Sequence, residues 1–136
     1  MPQKVERTPF MRRKHGLFES FLHAFAGIFA CVKRERNMKI HFGFVILVSA
    51  GGFLFGISQA EWLVCLVFFA LVLGAEAINT AIEAAVDIAS PEQNPKAKLA
   101  KDAAAGAVLL CSLMAAVAGC IIFLPRIWRF LQQFFM

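Results

Sequence analysis

Charge is scarce in this chain: 17% of its 136 residues are Asp, Glu, Lys or Arg, and long stretches carry none of them. A soluble domain of this length relies on exposed charge, and a 60% hydrophobic composition with a mean hydropathy of +0.68 excludes that class and disordered tails alike. Cysteine pairs are missing as well. Cys31, Cys65, Cys111 and Cys120 form no CxxC motif and three of them lie in apolar runs, so they read as small buried hydrophobes rather than as a disulfide framework or zinc site. No secretory leader is legible, because the first long apolar run begins only at Ile40. Neither a GxxxxGK[ST] loop nor a glycine-rich kinase loop occurs, so any nucleotide site is of another kind. No internal repeat is visible beyond an enrichment in alanine, which is common in packed membrane helices.

What the chain does contain is a series of apolar helices. Residues 1–15 read as a basic, loosely ordered arm with Lys4, Arg7, Arg12, Arg13 and Lys14. From Leu17 the large apolar residues Phe18, Phe21, Leu22, Phe25, Ile28, Phe29 and Val32 recur on one helical face. Flanked by basic residues, this helix, taken as 17–36, is suited to lie in the membrane interface. Three spans are predicted after it, over 40–58, 62–89 and 103–124, the last ending at Pro125 and leaving a tail over 129–136. Gly52 and Gly56 form a small-xxx-small pair fitted to close helix approach, and Glu61 and Trp62 stand where an interfacial anchor belongs. Nine Lys and Arg precede the first span, none separates the first two, three lie in the Ser90–Asp102 loop and two follow the third span. The positive-inside rule therefore puts the N-terminus and that loop in the cytoplasm and the C-terminus outside.

Chemistry concentrates in the segment from Glu76 to Asp87. At about 100° per residue, Glu76, Asn79, Thr80, Glu83 and Asp87 share one stripe of a helix whose opposite face is apolar. Intramembrane acids are expensive and mark function by default. Lys101 and Asp102 stand at the cytoplasmic start of the third span, and Glu35, just before the first, sits at the same membrane level. A carboxylate stripe at a water boundary suits Mg²⁺ with phosphate oxygens, a lysine suits phosphate charge, and a further carboxylate can take a hydroxyl proton. A rival is a small ion-coupled transporter subunit, whose site belongs near the midplane with access from both sides. The gathering of acids and Lys101 at the cytoplasmic end favours the phosphoryl-transfer reading. A purely structural bundle leaves the clustered acids without a purpose.

The string Glu76-x-x-Asn79-Thr80-Ala-Ile-Glu83, with Asp87 and then Ala-Lys101-Asp102-x-Ala-Ala-Gly-Ala-Val, resembles the signature of the small prokaryotic diacylglycerol kinase family. Glu35-Arg36-Asn37-x-x-Ile40-His41, Glu61-Trp62-Leu63 and Ile121-Ile-Phe-Leu-Pro125 look most like its undecaprenol kinase branch. The resemblance spans about Leu17 to Trp128. It implies an all-α integral membrane lipid kinase of the bacterial cytoplasmic membrane, with a surface helix, three transmembrane helices and a homotrimer whose active sites are shared between chains. Its substrates would be ATP with Mg²⁺ and a membrane lipid alcohol, undecaprenol or else diacylglycerol, and no nucleic acid. Carried over by position, Glu76 matches the catalytic base, Glu35 and Glu83 the magnesium-binding and ATP-binding acids, and Asn79 and Asp87 polar residues that organise the site or bind substrate. Glu92, Asn94, Lys101 and Asp102 match nucleotide contacts. His23 falls where the family often has an aromatic nucleotide contact, whereas as a bare feature it reads as an interfacial histidine; His15 and His41 gain no role.

Overall fold

Backbone polar groups in hydrocarbon must be satisfied inside the protein, and an α-helix does this within one segment. The structure is a computed structural model that describes residues 16–90, 92 and 94–135, so the basic arm expected over residues 1–15 lies outside the described residues. Four helices follow one another: α1 (Leu17–Arg34), α2 (Arg36–Phe55), α3 (Gln59–Ala89) and α4 (Pro95–Phe135). The last three are each long and apolar enough to cross a membrane.

The helix boundaries are set by local chemistry. α1 stops at Arg34 rather than Arg36 because Glu35 is extended, with φ −91° and ψ 126°, and its N–H closes the last turn on the Cys31 carbonyl at 2.8 Å. Helix resumes at once, so α2 starts four residues before the expected Ile40. It ends at Phe55 rather than Ser58, because Gly56 takes the left-handed conformation (φ 58°, ψ 52°) that favours glycine at a helix C-terminus. Gly56 thus makes the turn instead of forming half of a helix-approach motif. Gly52 does meet a neighbour closely: a Cβ there would lie 2.7 Å from Trp62 Cζ2. Trp62 itself, expected as an interfacial anchor, is half-buried and packs on Phe53 with ring centroids 4.9 Å apart.

α3 opens at Gln59, three residues before the expected start, on a reciprocal cap. The Glu61 N–H donates to Ser58 Oγ at 3.4 Å, and the Ser58 N–H donates back to Glu61 Oε2 at 2.8 Å. α4 departs furthest from expectation. It begins in the predicted loop, at Pro95, and runs through Pro125 and the predicted tail. The Lys96 N–H donates to Asn94 Oδ1 at 2.9 Å, so Asn94 caps a helix whose first residue is proline, the one place where a missing N–H costs nothing. Pro125 removes the donor for the Ile121 carbonyl, yet arginine side chains serve the carbonyls around it. Arg126 Nη1 donates to the Ile122 carbonyl at 2.6 Å and Arg129 Nε to the Pro125 carbonyl at 3.2 Å.

α3 and α4 form the most extensive helix pair. Two ion pairs fix their antiparallel register: Glu61 Oε2 with Arg126 Nη2 at 2.8 Å near one end, and Asp87 Oδ1 with Lys101 Nζ at 2.5 Å near the other. α2 packs on this pair, and Ile57, Cys65 and Ile122 form a small core with Val48, Trp62, Phe69 and Phe123 around it. This core lies at the Glu61 end, leaving the Asp87 end for polar groups.

Candidate active site

On α3 the spacing that gathers the polar residues on one stripe also turns the upper part of that stripe into the bundle. Glu76 is 2% exposed and Asn79 7%; among the described residues they are the two buried polar side chains. Both line a cleft of about 300 Å³, together with Asn37, Ile40 and His41 of α2 and Ala105, Val108, Leu109 and Ser112 of α4. Thr80 turns its hydroxyl back onto its own helix, donating to the Glu76 carbonyl at 3.0 Å. Asn79 Nδ2 donates to Glu83 Oε1 at 3.1 Å, which orients the amide and leaves Asn79 Oδ1 buried with no hydrogen-bond partner. Ser112 Oγ is buried without a partner as well.

The other expected residues surround the cleft without lining it. Glu35, half-buried between α1 and α2, lies 3.7 Å from Arg34 Nε through its Oε1. Glu35, Glu83 and His41 are near enough to Glu76 to interact with it electrostatically. Asp87 is exposed and holds Lys101. It stands eleven residues beyond Glu76, about 16 Å further along the helix. Glu92 and Asp102 are exposed, Asn94 serves as the α4 cap, and His23 is exposed on α1. Within one chain, therefore, the structure brings Glu76, Asn79, Glu83 and Glu35 together and holds Lys101, through Asp87, one helical turn beyond Glu83. Asn37 and His41, which sequence reasoning left without a role, belong to the cleft; their i, i+4 spacing after Glu35 is the signal that puts them on one face of α2.

A second cavity adjoins the first. It is an apolar groove of about 480 Å³ between α2, α3 and α4, running from Ile40 and His41 past Val72 and Phe69 to Phe123, and it shares Ile40, His41 and Ser112 with the cleft. A buried carboxylate in a cleft that adjoins an apolar groove is suited to receive the proton of a group delivered on a hydrocarbon chain. Among the described residues no three His, Cys, Asp or Glu side chains close into a metal cage. Mg²⁺ takes one or two carboxylates and keeps water and phosphate oxygens for the rest, and Glu35 and Glu83 are carboxylates of that donor type near Glu76.

A family model described as prokaryotic diacylglycerol kinase matches residues 22–123, a stretch containing every candidate site residue from His23 to Asp102. The chain belongs to this family. It is 39% identical over 110 residues to the undecaprenol kinase of Bacillus subtilis, covering 81% of this chain and 89% of the relative. It is 34% identical over 110 residues to a diacylglycerol kinase of Synechocystis sp., covering 80% of this chain and 63% of that longer protein. Prokaryotic diacylglycerol kinases of this kind are lipid kinases, so the chain is an enzyme of the phosphotransferase class built on membrane helices.

Proposed function

We propose that this enzyme transfers the γ-phosphate of ATP to the hydroxyl of a membrane lipid alcohol, with undecaprenol as the main acceptor and diacylglycerol as the second. The observation that carries the reading is the 2% exposed Glu76 in a cleft that adjoins an apolar groove. Glu76 accepts the hydroxyl proton as the alcohol oxygen attacks phosphorus, and the bond to the leaving ADP oxygen breaks. Asn79 holds Glu83 in place, and Glu83 and Glu35 would bind Mg²⁺. When bound, that ion supplies charge neutralisation on the ATP phosphates. Lys101, Asp102, Glu92, Asn94 and His23 contact nucleotide, and Asp87 positions Lys101 through their ion pair.

Undecaprenol ranks first because the undecaprenol kinase of B. subtilis is matched over more of its length and at higher identity than the diacylglycerol kinase. The enzyme lies in the bacterial cytoplasmic membrane with its N-terminus and site on the cytoplasmic side, supported by the nine Lys and Arg before α2's apolar run. α1 lies in the interface, supported by its exposed Phe18, Phe21, Phe25 and Phe29. The active form is a homotrimer with sites shared between chains; the small core within one chain supports it.

The test is transfer of labelled γ-phosphate from ATP in mixed micelles offered a panel of lipid alcohols, with and without Mg²⁺. Labelled polyprenyl phosphate is the expected product. No labelled lipid with any alcohol overturns the kinase reading, and a kcat/KM for diacylglycerol tenfold or more above that for undecaprenol overturns the ranking alone.

A further inference from the structure

Two buried polar atoms of the cleft lack hydrogen-bond partners, Asn79 Oδ1 and Ser112 Oγ. Leaving such atoms unpaired costs about as much as losing a hydrogen bond, so each calls for a partner that the chain does not itself supply. Their chemistry is complementary. Asn79 Oδ1, an amide oxygen, can only accept, with one N–H of the same amide donating to Glu83, and Glu76 as a carboxylate can only accept as well. Ser112 Oγ carries a proton free to donate.

Ser112 also has a particular position. It is one of three residues common to the polar cleft and the apolar groove, with Ile40 and His41. On its own helix the groove continues along Ala115, Ala116, Ala118 and Gly119, none of which bears a polar side chain. Ser112 is thus where the hydrogen-bonding part of α4's contribution ends and the part suited to hydrocarbon begins.

Resting on the lipid kinase reading, we propose that Ser112 is a substrate-binding residue that fixes the acceptor alcohol at this junction, its hydroxyl donating to the alcohol oxygen. An alcohol matches the valences of the cleft. One lone pair accepts from Ser112, the single proton goes to Glu76, and the second lone pair stays free for attack on phosphorus, while Asn79 Oδ1 is left to a water or another donor. The first carbons of the lipid chain lie in the groove below. An ether or ester oxygen brings no proton for Glu76, and a hydrocarbon leaves Ser112 unpaired.

Equilibrium binding to the full chain in detergent micelles tests this without turnover, using a fluorophore-tagged farnesol and the equally tagged hydrocarbon that lacks its hydroxyl. For Ser112→Ala the Kd of the alcohol should rise about fivefold, the loss of one neutral hydrogen bond, while the Kd of the hydrocarbon stays within about twofold of wild type. Ser112→Thr, which keeps a hydroxyl, should stay within about twofold for both. In the transfer assay Ser112→Ala should raise KM for the lipid and leave KM for ATP unchanged. Alcohol binding that is unchanged in Ser112→Ala, or that weakens in step with the hydrocarbon, overturns the proposal. If wild type transfers no phosphate yet binds the alcohol in a Ser112-dependent way, the subsite stands and the kinase reading falls. Phosphate transfer combined with Ser112-independent binding removes the subsite and leaves the kinase reading in place.

Discussion

A carboxylate that keeps 2% of its surface, as Glu76 does, has lost most of its water and gains nothing for stability unless a partner or a function returns it. No cation among the described residues pairs with it at close range in the way that Lys101 pairs with Asp87 or Arg126 with Glu61. Glu76→Gln preserves shape and volume but cannot take a proton from a hydroxyl. It should fold with an unchanged melting temperature or a slightly higher one, while phosphate transfer falls by about 10² to 10⁴, the range for removing a general base; near-normal turnover would remove Glu76 from that role. Glu83→Gln is a cleaner test of the metal assignment than truncation, because its amide oxygen can still accept from Asn79 Nδ2 at the present 3.1 Å. Only the charge is lost. Glu83→Gln and Glu35→Gln should each raise the Mg²⁺ concentration for half-maximal rate, and an unchanged Mg²⁺ titration would make these acids structural.

At the scale of the elements, apolar periodicity and charge placement are enough to anticipate four helices, three of them of membrane length, because length and hydropathy are properties of a segment read by itself. Helix ends are less legible. Ser58-x-x-Glu61 is a capping signature and Asn94-Pro95 a helix start, yet inside apolar or loop-like surroundings both give way to the larger hydropathy signal. Pro125 reads locally as a stop, yet α4 continues past it, with two arginine side chains reaching back to the Ile122 and Pro125 carbonyls, interactions no local pattern announces. The candidate site is legible as a stripe on α3. His41, Asn37 and Ser112 are not, since they join it only through packing of α2 and α4. Gly52 offers a test of that packing. A methyl group there would lie 2.7 Å from the Trp62 indole, and overpacking of this kind costs about 1 to 3 kcal/mol. Gly52→Ala should therefore unfold several degrees lower in a thermal scan while keeping its KM for ATP, as the hairpin lies at the end of the bundle opposite Lys101; an unchanged melting temperature would mean that Trp62 moves aside without cost.

For the molecule as a whole, the question is how groups so far apart along α3 act on one phosphoryl group. Lys101 is held by Asp87, about 16 Å along the helix from Glu76, well beyond the span of the transferring phosphate and its attacking oxygen. In the homotrimer proposed above each group keeps its own depth, so a neighbour's Lys101 would meet the nucleotide above the Glu76 cleft and the extended triphosphate would span the remaining distance. The same arrangement would cover the exposed acids Asp87 and Asp102, which are costly if left against lipid. Mixing subunits distinguishes this from a site within one chain. Glu76→Gln and Lys101→Met are each expected to be inactive alone. In equal mixtures that exchange subunits freely, a site needs an intact Glu76 from one chain and an intact Lys101 from its neighbour, each present half the time, so about one quarter of wild-type activity should return. A site contained in one chain returns none, because every chain carries a defect. Mixed trimers would be verified by co-purification through two different affinity tags, and their formation without any recovered transfer would rule out the shared site.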